Sequence, residues 1–415
     1  MSYVKQYRCT KCHQTMAYDE SLNVCPKCKD SGILDIEYDY KKIKSVFSKN
    51  YLKKNIYLSL WRYLPLLPVD GKYVDETLNV GWTPLYQSKH LKEKYNVQAL
   101  YLKDEGLNPT QSLKDRASVI ACIKAMEMGQ DTISCSSTGN AASSLAGNAS
   151  KLGLKTVIFV PKRAPIGKLT QLMIFGSKLI KVNGDYKKTY DLSKAAIDHY
   201  HWYNRNAAIN PHLVEGKKTV ALEIAEQLAF KPTDWVVTSV GDGCTIGGVY
   251  KGFYDLYQLG MIDKIPKIMG VQSQGCSPFY DAFHEQREIQ ETEENTIADS
   301  IAVGIPRNPI KGMDAVKKSH GTFVKVSDDD ILSAMKILGK EEGVFAEPAA
   351  AASLAGMIQA RKKKVIKASD SVTVIITGNG LKDTKNAQKA IGEPVLLESN
   401  LEDLIDYIER GDKNE

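Results

Sequence analysis

No run of 18 or more apolar residues occurs in this 415-residue chain, which argues against a membrane-spanning helix. The opening stretch MSYVKQYRCTKC lacks the apolar core of a secretory leader, so a cytoplasmic protein is expected. An excess of one charge is also missing: 55 Lys and Arg stand against 49 Asp and Glu, a net +6 spread along the chain. That near balance, without a basic stripe interleaved with aromatics, argues against nucleic acid as a partner and slightly favours anionic small molecules. Internal repeats are absent. Apolar residues, by contrast, make up 43% of the chain, enough to fill a core divided among two or more domains.

The eight cysteines fall into two groups. Cys122, Cys135, Cys244 and Cys276 are scattered and read as free thiols of a reducing compartment. Cys9, Cys12, Cys25 and Cys28 form two C-x-x-C pairs, each placing two thiolates on one tight knuckle, and two knuckles can close a tetrahedral zinc site. Four sulfurs leave no open position, so zinc there would be structural. The alternatives are two disulfides, disfavoured in the cytoplasm, or a site without metal. A segment this short has too little apolar mass to fold without the ion.

Four stretches are expected: a zinc ribbon over 1–35, a connecting arm over 36–80, a catalytic body over 81–395 and a helical tail over 396–415. The arm holds LSLWRYLPLLPV, broken by Pro65 and Pro68 and suited to packing on the body or on a second subunit. In the body, the branched apolar runs TVIFVP, KLIKV, WVVTSV, IMGVQ and SVTVIITG alternate with helical stretches such as ASVIACIKAMEMG and AASSLAGNASKLG. Buried strands alternating with helices predict an α/β fold with parallel sheets covered on both faces, which bind ligands at the C-terminal ends of their strands. The charged stretch HEQREIQETEENT reads as a solvated helix or a mobile surface insert.

The chemistry concentrates in loops rich in small and hydroxyl residues. NPTQSLKDRAS sets Lys114 between a turn and a helix, a setting that a surface lysine does not need and an imine-forming lysine does. In SSTGNAASS, Ser137, Thr138 and Gly139 lead into Asn140 at a helix start, where free N–H groups attract a carboxylate. VGDGCTIGGVYKGF is a glycine loop feeding a helix, as a phosphate cradle requires. It is neither a P-loop nor G-x-G-x-x-G, since no Lys-Ser pair follows and Ile246 holds the third position. IITGNGLKD ends a strand on the hydroxyl of Thr377. Amine, phosphate cradle and strand-end hydroxyl together suit pyridoxal phosphate, and the carboxylate loop suits an amino-acid substrate.

GWTPL, LKDEGLNPTQSLKDR, SSTGNAASSLAG, NPHLVEGKKTVALEI, GDGCTIGGVYKGF, GVQSQGCSP, FAEPAAAASLAG and TGNGLKD occur in the order found in threonine synthases. The chain resembles that family, fold-type II pyridoxal phosphate enzymes of the tryptophan synthase β-like kind, over about residues 75–395. The resemblance implies two α/β units with the cofactor in the cleft between them, and commonly a homodimer. It assigns Lys114 as Schiff-base lysine and proton shuttle, Asn140 to the cofactor's phenolic oxygen, Gly241, Asp242, Gly243, Cys244 and Thr245 to its phosphate, and Thr377 to its ring nitrogen. Ser112, Arg116, Ser137, Thr138 and Lys168 are the candidates for holding the substrate. The implied reaction is O-phospho-L-homoserine plus water to L-threonine and phosphate. An ammonia-lyase acting on threonine or serine, a β-replacement synthase making cysteate or cysteine, and a non-catalytic amino-acid sensor are the rivals. This chain reads PTQSLKDRA where PTGSFKDRG is usual, so Gln111, Leu113 and Ala117 depart from the family near the substrate, as does Ala141 in place of a threonine.

Overall fold

The computed structural model describes residues 2–411 apart from 163, 165, 185, 207 and 208, and leaves the side chains of 166–168, 186, 410 and 411 undescribed. Among the described residues, thirteen strands form three sheets: β1 (Val4–Cys9), β2 (Thr15–Met16), β3 (Leu34–Tyr38), β4 (Leu85–Gln87), β5 (Ala99–Asp104), β6 (Thr132–Ser136), β7 (Lys155–Pro161), β8 (Lys178–Val182), β9 (Tyr203–Asn204), β10 (Trp235–Ser239), β11 (Lys267–Ser273), β12 (Thr322–Val326) and β13 (Ser371–Ile376). The large sheet has the order β12-β11-β10-β13-β5-β4, parallel except for β4. The second sheet is parallel throughout, in the order β8-β7-β6-β9. These are the two α/β units expected of a fold-type II enzyme.

Burial on both faces explains the unbroken apolar strands. Val372, Val374, Ile375 and Ile376 of β13 are fully buried, each worth about 1.5–3 kcal/mol of apolar transfer. Helix Pro348–Lys362 lies against the large sheet, and its run of four buried alanines lets it come close. At Gly356 a Cβ would stand 2.3 Å from Cγ2 of Val271 on β11. Helices Lys114–Glu127 and Asn140–Lys151 end ahead of Gly129 and Gly153, whose φ of +70° and +69° turn the chain as those glycines lead one to expect. No helix among the described residues is long and apolar enough to cross a membrane.

The N-terminal sheet has the order β2-β1-β3 and is antiparallel. It continues to Tyr38, so the boundary expected at residue 35 cuts through β3. The sheet is tied to the body by buried polar contacts. Tyr38 donates to Glu215 at 2.7 Å, Lys311 donates to the Leu34 carbonyl at 2.8 Å, and Tyr18 lies 3.0 Å from Nε2 of His212. The 36–80 stretch packs on the body: Leu60, Tyr63 and Leu66 are fully buried, and Arg62 pairs with Glu226 at 2.5 Å.

The charged stretch after His284 is not helical. It lies as extended chain pinned to neighbouring turns, with the Thr292 amide donating to Gly304 and the Asn295 amide to Gly275. Both glycines are needed for that approach: a Cβ would stand 1.6 Å from the Asn295 carbonyl oxygen at Gly275 and 2.2 Å from that of Thr292 at Gly304.

Candidate active site

Lys114 is the first residue of helix Lys114–Glu127, and a strand-like pairing fixes it in place. The segment before it runs alongside the end of β13: the Leu113 amide donates to the Thr377 carbonyl at 2.9 Å, Ser112 bridges Gly378, and the Asn379 amide donates to Gln111. Backbone bonds therefore hold the lysine beside the strand end that carries Thr377. The hydroxyl of Thr377 makes no bond to a described residue. Gln111 has φ +68°, a left-handed conformation that suits the glycine usual at that position and is strained for a glutamine.

The groups that act on the Lys114 amine are Arg205, Glu347, Cys244 and Asp242. Burial first, and then the Arg205 charge, hold its ammonium below the usual lysine range. A depressed lysine is a better nucleophile and base near neutrality.

The glycine loop follows β10. Gly243 has φ +88°, and a Cβ there would lie 2.5 Å from the Asn308 carbonyl oxygen, so no side chain fits. The carbonyl of Asp242 accepts from the Asn308 amide at 3.0 Å, and its carboxylate accepts from the Arg307 amide at 3.2 Å. The loop opens helix Cys244–Gln258, whose first turn has no side-chain cap. A helix start without a side-chain cap, with Thr245 alongside, is the chemistry a phosphate group requires. A depressed amine, this cradle and an unspent strand-end hydroxyl meet the needs of pyridoxal phosphate.

Asn140 opens helix Asn140–Lys151 and is nearly buried. Its Nδ2 donates to both oxygens of Glu347 at 2.9 Å and lies 3.4 Å from Oγ of Ser300. Burial pushes the Glu347 carboxyl above the usual range, while Asn140 and Lys114 pull it back. The open part of the cleft encloses about 100 Å³ and is lined by Thr138, Asn140, Ser300, Glu347, Lys382 and Asp383 among others. Thr138 and Asn140 come from the smaller sheet's unit, and Ser300, Glu347 and Lys382 from the larger one.

Of the substrate candidates, Thr138 lines the cleft and Ser137 turns its hydroxyl to the Gly139 amide at 3.3 Å. Ser112 is 1% exposed, with its oxygen 3.4 Å from the Lys114 amide, a helix-start role. Lys168 lies on helix Ile166–Ile174, and its side chain falls outside the described residues. The expectation for Arg116 is corrected. Its guanidinium is fully buried and spent on Glu105 (2.6 and 2.7 Å) and Glu223 (2.5 and 2.7 Å), which leaves nothing for a substrate. Glu347, Ser300, Arg205, Lys217 and Lys382 were not singled out from the sequence. Glu347, Lys217 and Lys382 had a signal there, in the stretches FAEPAAAAS, NPHLVEGKKTVALEI and TGNGLKD.

At the other end of the chain, the sulfurs of Cys9, Cys12, Cys25 and Cys28 all lie within 4.8 Å of one another. The two knuckles match: the residue after each pair, His13 and Lys29, has positive φ (60° and 53°) and donates its amide to the first cysteine's carbonyl. The set is all-sulfur and closed, compatible with a small structural zinc site.

Comparison with known proteins follows this geometry. The model of the pyridoxal-phosphate dependent enzyme family matches residues 76–378, and the chain belongs to that family. The large-sheet and small-sheet arrangement is shared with a threonine deaminase from Solanum lycopersicum (TM-score 0.65, 21% identity, 80% of this chain and 94% of that one). It is shared as well with a serine racemase from Dictyostelium discoideum (TM-score 0.61, 27% identity, 72% and 92%). Within the family the chain falls on the threonine synthase branch. It is 37% identical to the threonine synthase of Methanocaldococcus jannaschii over 95% of this chain and 97% of that protein, and 37% identical to that of Methanosarcina acetivorans over 95% and 96%.

Proposed function

We propose that the chain converts O-phospho-L-homoserine and water into L-threonine and phosphate, with Lys114 as the cofactor-bearing base. The observation that carries this reading is the junction around Lys114, where a depressed amine meets Asn140 through Glu347, the uncapped glycine loop, and Thr377. Bound pyridoxal phosphate supplies an aldehyde for a lysine amine and a conjugated ring that takes up electron density from the substrate. Gly241, Asp242, Gly243, Cys244 and Thr245 hold its phosphate through backbone N–H groups and the Thr245 hydroxyl. Asn140 would hold the phenolic oxygen. Thr377 would meet the ring nitrogen with a hydroxyl, which would not hold a proton there as a carboxylate would, and this would favour elimination and replacement over transamination. Lys114 would take the protons from the substrate's Cα and Cβ, phosphate would leave Cγ, a proton would return to Cγ to make the methyl group, and water would add its OH at Cβ while Cα regains a proton. Ser137, Thr138 and the amides around them receive the substrate carboxylate at the start of helix Asn140–Lys151.

Borohydride reduction with the cofactor, followed by peptide mapping, should label Lys114 and no other lysine. Phosphate release and threonine formation from phosphohomoserine should match one for one. Keto acid from threonine or serine, with no phosphate from phosphohomoserine, would overturn the reading in favour of an ammonia-lyase.

We further propose one structural zinc on Cys9, Cys12, Cys25 and Cys28, and a homodimer as the working assembly, the latter following the family resemblance and open to test by light scattering.

A further inference from the structure

β3 is an edge strand, since the N-terminal sheet runs β2-β1-β3. Its outward carbonyls therefore have no strand to pair with. Two lysines of the body take them. Nζ of Lys311 donates to the Leu34 carbonyl at 2.8 Å and meets Oδ1 of Asp35 at 3.0 Å, and Nζ of Lys251 donates to the Ile36 carbonyl at 2.8 Å. Just past the strand, the Tyr40 hydroxyl donates to Oδ1 of Asp255 at 2.6 Å. Both lysines are buried. Lys251 also has carboxylates of the body within reach, Asp255 at 3.9 Å and Glu215 at 4.0 Å. Lys311 has none: both of its polar partners among the described residues, the Leu34 carbonyl and Asp35, belong to β3.

The two lysines stand on the two helices that meet at the glycine loop. Lys251 is on helix Cys244–Gln258, which that loop opens, and Lys311 is on helix Pro309–Lys318. The residue ahead of the second helix, Asn308, holds the loop: its amide donates to the Asp242 carbonyl at 3.0 Å, and its Nδ2 lies 3.7 Å from Sγ of Cys244. Little slack is left between the helices. A Cβ at Gly247 would stand 3.1 Å from Cβ of Lys311, and a Cβ at Gly312 would stand 3.1 Å from Cα of Gly243. Lys311 and the residue after it thus lie directly against the loop and its helix, so a shift of one is passed to the other.

A buried ammonium without an acceptor is costly, so Lys311 keeps its place only while β3 is docked. We propose that Lys311 is a positioning residue for the glycine loop, and that through it, with Lys251 as a second tie, the docked N-terminal sheet sets the path of residues 241–245. The sheet is then a buttress of the active site and not an appendage carried beside it. The effect on the cofactor rests on the proposed role of the glycine loop as its phosphate cradle, whereas the tie between sheet and loop stands on geometry alone.

The test uses the full chain with Lys311→Met, Asp35→Asn and the double variant, and with Lys264→Met, which removes an exposed pair with Asp234, as the control. Hydrogen exchange of the cofactor-free chain, read by mass spectrometry, compares the amides of 241–248 with those of helix Pro348–Lys362. Lys311→Met should speed exchange over 241–248 by about tenfold and leave the reference helix and the control variant unchanged. Asp35→Asn, a change confined to the sheet, should act in the same direction and more weakly, and the double variant should add little to Lys311→Met. Pyridoxal phosphate, titrated by absorbance, should bind Lys311→Met about threefold to tenfold more weakly than the parent. Parental exchange over 241–248 in Lys311→Met would overturn the proposal. Equal speeding in the reference helix would overturn it as well, since that marks a general loosening of the fold. Should Lys311→Met fail to fold, Asp35→Asn decides by the same comparison. Faster exchange of the loop with the affinity for pyridoxal phosphate unchanged would uphold the tie and count instead against the loop as the cofactor's cradle.

Discussion

Nδ2 of Asn140 lies 2.9 Å from each carboxylate oxygen of Glu347, so one amide group closes both oxygens across the cleft. Glu347 precedes helix Pro348–Lys362, and its own amide donates to the Gly378 carbonyl at 3.0 Å. Gly378 has no side chain to spare, since a Cβ there would stand 2.6 Å from Oε1. The carboxylate thus links the Asn140 helix, the Lys114 amine and the end of β13.

Replacing Glu347 with Gln should keep the shape and lose the charge. A hydrogen bond to a charged group is worth about 1.5–3 kcal/mol, so kcat/KM should fall about ten- to a hundredfold. Because burial raises the Glu347 carboxyl, it protonates at a higher pH than an ordinary glutamate. The acid limb of the parent's pH profile should therefore lie above the usual carboxylate range, and the Gln variant should lack it. An identical acid limb in both proteins would show that Glu347 does not titrate in turnover.

Arg116→Lys should destabilise the fold rather than weaken substrate binding. The lysine cannot serve Glu105 and Glu223 together, and breaking a buried ion pair costs about 3–5 kcal/mol. A marked drop in melting temperature is expected, with the KM of the surviving enzyme unchanged. A variant that melts like the parent while its KM rises would return Arg116 to the substrate site.

Metal analysis should find about one zinc per chain, lost in Cys9→Ser or on strong chelation. Without the ion, the loops over 9–33 should become protease-sensitive, since Cys9, Cys25 and Ile33 are the buried apolar residues described there. Unchanged proteolysis after metal loss would mean that packing on the body holds the ribbon.

His212 sits in a closed pocket with Tyr18 and Tyr203, and burial, followed by the Lys124 charge, brings its pKa down to about 3. The folded chain therefore keeps it neutral where the unfolded chain, near 6.5, takes up a proton. Its contribution to stability is complete above about pH 6.5 and is lost as pH falls toward about 3, at up to about 1.4 kcal/mol per pH unit. His212→Gln should flatten that part of the stability profile. A parent and variant with parallel acid denaturation curves would exclude His212 as a cause.

Much of the site could be read before the fold was seen, because its loops carry composition that a core does not need: SLKDR, SSTGN, GDGCT and TGNG. The strands β7, β8, β10, β11 and β13 were equally plain as branched apolar runs. β5 was harder, because ALYLKD carries Lys103 into the interior, where Glu223 and Gln227 hold it. Arg116 misled for the same reason. A charged residue in a site-like stretch looks like a ligand until its carboxylate partners, about a hundred residues away in Glu223, are brought beside it. Arg205 had no local signal, since its partners Ser118 and Ser144 lie far from it in sequence.

β13 lies between β10 and β5 and follows both in sequence, the last of the described strands. Until residues 371–376 have left the ribosome, the facing edges of β5 and β10 have no neighbour, and Lys114 has no Thr377 carbonyl to fix its approach. The edge of β5 therefore stays open from residue 104 and that of β10 from residue 239 until β13 is made, a state prone to wrong pairing and slow to resolve. The same arrangement means that a product truncated before β13 lacks the strand that positions its lysine, so the site is assembled only after residues 371–377 are made.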